Sequence, residues 1–140
     1  METVKGFLRQ NKRVKENAKC SLSDAFLSSE GKPLEWELKP VTTEENNDII
    51  DACTYEAVTK KGIETRLKIG KYNALLVASA VVYPDLYSAE LQDSYGVTKP
   101  EELILKMLDS PADFNAALEL VTKISGLEKM LEDKVDEAKN

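Results

Sequence analysis

Apolar and charged residues alternate from Leu34 to Lys39, where Leu34, Trp36 and Leu38 are separated by Glu35, Glu37 and Lys39. A period of two belongs to a strand with one buried face. Upstream, Leu22, Phe26 and Leu27 precede the run Ser28-Ser29-Glu30-Gly31-Lys32-Pro33, whose glycine and proline mark a loop. Residues 20–41 are therefore expected to form a β-hairpin. From Thr42 onward the period lengthens. A Thr42 or Thr43 hydroxyl can cap free amides, and Glu44 and Glu45 favour the positive end of a helix. This helix is expected to run to about Val58, with Ile49, Ile50, Cys53 and Ala57 on its buried face, until Lys60-Lys61-Gly62 breaks it. Residues 63–70 fit either a short strand or an irregular link. Tyr72, Leu75, Leu76, Ser79 and Ala80 then mark a helix that is apolar nearly all round and so expected to be central, stopping near Tyr83-Pro84-Asp85.

The rest of the chain is punctuated as helices. Ser88 can cap a short helix reaching Tyr95, with Gly96 where a left-handed residue is wanted. Pro100 and Pro111 each stand in a first helical turn beside acidic residues. The first of these helices buries Leu103, Ile104, Met107 and Leu108; the second buries Phe114, Ala117, Leu118, Val121 and Ile124 and ends at Gly126. A last amphipathic segment lines up Leu127, Met130, Leu131 and Val135. The sum is an α+β fold, mainly α-helical, with helices over about 43–138. A single globular domain is expected over residues 20–140, preceded at residues 1–19 by a basic arm or short helix.

Composition narrows the function. At 140 residues, 42% hydrophobic and 31% charged, the chain has enough apolar content for one core. A net charge of −6 repels phosphate backbones, so nucleic acid is not expected as the main partner. The N-terminal arm is locally basic, with Lys5, Arg9, Lys12, Arg13, Lys15 and Lys19 against Glu2 and Glu16, and reads as a solvated segment. The run Ala74 to Val82 is far shorter than the roughly 20 residues of a spanning helix, so no membrane segment is expected. Cys20 and Cys53 are read as reduced thiols in the cytoplasm, since two distant cysteines form no disulfide framework.

Candidate chemistry is sparse. The chain has no histidine, hence no neutral-pH general base of the commonest kind and no imidazole ligand. Neither Glu35 with Glu37 nor Asp48 with Asp51 makes a credible catalytic pair, because both pairs fall on polar faces. No metal, cofactor or enzymatic activity is expected. Trp36 can anchor either the core or a partner, with the core preferred. Phe7, Leu8, Trp36 and the stripe Leu127, Met130, Leu131 and Val135 are the candidate partner-binding residues, the terminal ones because an amphipathic segment near a chain end can exceed the surface available to cover it.

One stretch has a specific likeness. Gly6-Phe7-Leu8, a Lys-rich spacer, Ser23 to Phe26, and then Glu30-Gly31-Lys32-Pro33-Leu34-Glu35-Trp36-Glu37-Leu38-Lys39-Pro40-Val41-Thr42 with its acidic helix start resemble the XkdN-like phage tail assembly chaperones. The likeness is strongest over residues 24–45 and extends over about two thirds of the chain. It implies a protein of the host bacterial cytoplasm that binds the tape measure protein, keeps it from aggregating and helps bring tail tube subunits to it, with self-association left open. The rivals are a structural component of the finished tail and a small regulatory protein that uses its basic arm on nucleic acid.

Overall fold

The backbone changes character at Thr42, and the cause is local. The Glu45 amide donates to the Thr42 hydroxyl at 3.2 Å while the Thr42 amide donates to the Glu45 carboxylate at 3.1 Å. This reciprocal cap satisfies two amides that a helix start leaves open. It launches α1, Thr43–Cys53. The computed structural model describes residues 3–128. Before α1 lie two short 3-10 turns, Val4–Phe7 and Arg9–Asn11, with no buried residue, and then β1, Ala18–Cys20, and β2, Trp36–Leu38. After α1 come β3, Thr54–Thr59, and β4, Gly62–Leu67. They are followed by α2, Ile69–Ala80, and β5, Val81–Tyr83. Three more helices follow among the described residues: α3, Ala89–Tyr95, α4, Pro100–Met107, and α5, Pro111–Ser125.

Two antiparallel sheets result. One has the order β1-β2-β5, and the other is the β3-β4 hairpin. With 48% helix and 18% strand among the described residues, the fold is mixed α+β. The expected N-terminal hairpin is present in modified form. Its first strand is β1 and lies earlier than Leu22–Leu27, and β5 makes β2 a central strand. The reason is packing from a loop. Leu22 is buried and Phe26 meets Trp36 edge-on with centroids 6.0 Å apart, while Ser23 accepts the Ala25 amide in a tight turn that a strand does not permit. Lys19 and Glu37 face each other across β1 and β2 and approach to 3.7 Å.

The helix expected to reach Val58 stops at Cys53. Thr54, Tyr55, Val58 and Thr59 are β-branched or aromatic and fit a pleated ribbon better than a helix, and they pair with β4 in unbroken register from Thr54↔Leu67 to Thr59↔Gly62. The ambiguity over residues 63–70 thus resolves as a strand that runs directly into α2. That helix likewise yields three residues at its end to β5, whose pairing with β2 satisfies the edge that β2 otherwise exposes.

The core lies between the three-stranded sheet and the helices. Trp36, Leu38, Leu76, Val77, Leu103, Ile104, Leu108 and Val121 are at most 2% exposed. Each such side chain contributes roughly 1.5–3 kcal/mol by leaving water. α2 is central as expected and packs against α1, α4 and α5. α4 and α5 begin at the anticipated prolines, and both α3 and α5 end on glycines in the left-handed region, Gly96 at φ 67° and Gly126 at φ 77°. The Val41 amide donates to the Ser125 hydroxyl at 2.8 Å, joining the exit of β2 to the last residue of α5.

Candidate functional site

The end of α5 shapes an apolar concavity. At Gly126 the backbone turns left-handed, so the Gly126 amide returns to Lys123 and the Leu127 amide to the Thr122 carbonyl at 2.9 Å. This folds Leu127 back toward α2. Together with Leu118 and Thr122 of α5, Ile50 of α1, Leu67 at the end of β4, and Ile69, Tyr72 and Leu76 of α2, it lines a groove of about 510 Å³. The length of the link between β4 and α2 matters. Only Lys68 separates the two elements, and its amide bonds the Cys53 carbonyl at 2.9 Å, which pins the root of the β3-β4 hairpin beside the groove. Leu67 and Ile69 consequently stand 39% and 62% exposed at its mouth.

Both hydroxyls in these walls are occupied. The Tyr72 hydroxyl donates to the Asn46 side-chain carbonyl, and the Thr122 hydroxyl donates to the Leu118 carbonyl at 2.6 Å. Burial, and secondarily the neighbouring Cys53, pushes the Tyr72 hydroxyl up from the ordinary tyrosine range, so it stays a neutral donor. With those two hydroxyls satisfied internally, the walls present mainly carbon, and the Asn73 amide is a further polar group among them. The two charged residues lining the groove, Glu119 and Glu128, are both carboxylates. A neighbouring, more polar hollow is lined by Cys20, Leu22, Leu120 and Lys123. The Cys20 thiol there is pushed up by burial and by the Glu35 charge, away from nucleophilic thiolate character.

The structure distributes the sequence-derived candidates unevenly. Trp36 is 2% exposed and turned into the core, where it offers no surface to a partner. Phe7 is 86% and Leu8 39% exposed on the N-terminal turns, and neither lines the groove. Leu127 is in the groove wall. Met130, Leu131 and Val135 lie outside the described residues. Ile50, Leu67, Ile69, Leu76 and Leu118 were not singled out as a binding surface, because helical periodicity assigns three of them to the core and the fold of residues 54–67 was needed to place the others. The pair Leu67 and Ile69, aliphatic on either side of Lys68 and just before Gly70, is the signal that was available.

Among the described residues, no group of three or more potential metal ligands comes together, and no helix is long and apolar enough to cross a membrane. The site is suited to holding an aliphatic segment against three helices. The chain belongs to the family described as phage XkdN-like tail assembly chaperone protein, whose model matches residues 4–139. It is 29% identical over 126 residues to the phage-like element PBSX protein XkdN of Bacillus subtilis (strain 168), covering 89% of this chain and 85% of that protein. The fold is similar to the crystal structure of the protein yqbn, with a TM-score of 0.73 at 19% identity over 90% of this chain and 98% of that one. Family membership places the protein in phage tail assembly.

Proposed function

We propose that this protein chaperones the tape measure protein in the host cytoplasm, covering an aliphatic helix face of that long chain until tail tube subunits enclose it. The groove between α1, α2 and α5 carries the reading. Its walls are mainly apolar, and a concavity set among three helices is the kind of surface that takes one amphipathic helix by its apolar face. The stripe Met130, Leu131 and Val135 follows Leu127 directly in sequence, and we assign it to the same binding surface. Phe7 and Leu8, exposed on the N-terminal turns, are a second contact for the same chain. The net charge of −6 keeps loaded complexes apart while apolar segments are being covered. No bond is made or broken in this activity.

Co-expression with the tape measure protein of the same phage element tests it. A larger soluble fraction of that protein, together with a complex that survives purification, is the expected result. An unchanged soluble fraction with no complex removes the chaperone reading and leaves that of a structural tail component.

A further inference from the structure

The β3-β4 hairpin has a feature that the groove does not use. Every residue of β4 is exposed, and among the described residues no strand pairs with its outer edge. A two-stranded ribbon is marginal in water without a third strand or a covering face. Here the ribbon also displays aliphatic side chains, with Val58 87% and Ile63 69% exposed on directly opposed positions. Such an edge is a template for another strand.

The sequence of β4 states which strand fits. Thr59 and Gly62 close the hairpin across the two-residue loop Lys60-Lys61. The closing pair of such a loop exchanges hydrogen bonds, so Gly62, Glu64 and Arg66 turn their amides and carbonyls toward β3. Those of Ile63, Thr65 and Leu67 face the free edge. We propose that two copies of this protein associate by antiparallel pairing of their β4 edges about a two-fold axis at Thr65, forming a continuous four-stranded sheet. In that register the outward-facing groups of Thr65 meet those of Thr65 in the second copy, and Ile63 meets Leu67. On the opposite face Glu64 stands across from Arg66 of the second copy, and Arg66 from Glu64. Within one chain these two side chains are already an ion pair at 3.2 Å, so the dimer sets four charges of alternating sign at adjacent positions. Shifting the axis to Glu64 or Arg66 places like charges directly opposite, which disfavours both neighbouring registers. The match is self-complementary, as a two-fold interface requires. An edge of six residues makes a small interface, so the dimer is weak and concentration-dependent, with Kd in the range of about 10 µM to 1 mM.

The experiment is sedimentation of the full chain across that concentration range, for the wild type, Glu64→Arg, Arg66→Glu and the double exchange. All are exposed positions, and circular dichroism verifies that each variant folds. The wild type is expected to pass from monomer to dimer. Each single reversal weakens dimerisation by about tenfold or more, the double exchange returns to within about threefold of the wild type, and an equimolar mixture of the two single variants forms a heterodimer. A wild type that stays monomeric to about 1 mM, or a dimer indifferent to the single reversals, overturns the proposal. The outcome is independent of whether the groove binds the tape measure protein.

Discussion

The Tyr72 hydroxyl donates its proton to the side-chain carbonyl of Asn46, joining α2 to α1 at the wall of the groove. Asn46 is 6% exposed, so removal of the hydroxyl leaves its oxygen without a protein partner. Tyr72→Phe is expected to lower the unfolding free energy by about 1–2 kcal/mol in urea titration at neutral pH. The pH dependence follows from the raised ionisation of Tyr72. Its folded-state pKa lies above that of the unfolded chain, so the contribution is complete below about 10 and is lost as pH rises through the folded value. The variant is expected to show a flatter alkaline limb of stability against pH.

The cap at Thr42 predicts an acid limb of the opposite sign. Burial alone raises the Glu45 carboxyl, but the Thr42 amide, the Lys39 ammonium at 3.1 Å and the Thr42 hydroxyl outweigh it and hold the group below its ordinary value. A lowered folded-state pKa gives stability that is present above the ordinary value of 4.5 and lost as pH falls through the folded one. Glu45→Gln is expected to flatten that loss in acid denaturation. Thr42→Ala removes the acceptor of the Glu45 amide and is expected to cost about 1 kcal/mol, read by thermal unfolding at neutral pH.

Ile69 separates binding from folding. Standing 62% exposed at the mouth of the groove, it contributes little to the core. Ile69→Glu is expected to change stability by no more than about 0.5 kcal/mol. The same change puts a third carboxylate beside Glu119 and Glu128, and the soluble yield of a co-expressed tape measure protein is expected to fall severalfold. A variant that unfolds shows that Ile69 supports the fold, and one that folds and protects that protein as well as the wild type does shows that Ile69 does not mark the binding surface.

Trp36 gives the contrasting case. Its ring is closed in by the core and by the edge of Phe26, so Trp36→Ala leaves a large void and is expected to cost about 3–5 kcal/mol. That is a large share of the roughly 5–15 kcal/mol a domain has in total. As the single tryptophan, it also reports the transition directly. Native emission is expected to be blue-shifted and to move to the red in one step with urea, at the midpoint given by circular dichroism.

Much of this architecture was written in short-range signals. Thr42 with Glu45, Ser88, the two helix-starting prolines and the two helix-ending glycines act within a few residues of themselves, and each works as its chemistry dictates. Alternation around Trp36 likewise revealed β2 and its buried face. What escaped was decided at longer range. Cys53, Ala57 and Ile49 fit one helical face, yet Thr54–Thr59 gain more by pairing with β4, and helical spacing does not register that competition. Leu22 and Phe26 resemble strand residues because they are apolar, but they reach the core from a loop, Leu22 buried and Phe26 partly so. The groove was least legible, since its walls come from α1, β4, α2 and α5, and only the left-handed turn at Gly126 brings Leu127 to them. Met130, Leu131 and Val135, on which the sequence reading of a binding surface leaned, lie outside the described residues.

The bond from the Val41 amide to the Ser125 hydroxyl also bears on the order of events at the ribosome. β2 waits for Val81–Tyr83 to complete its sheet, and the exit of β2 waits for a hydroxyl 84 residues downstream. Synthesis proceeds at about 5–20 residues per second, so several seconds pass between the making of Trp36 and the arrival of the helix that seals it. During that interval the nascent chain shows its own apolar segments to the cell, and it reaches its folded form only after α5 has been translated.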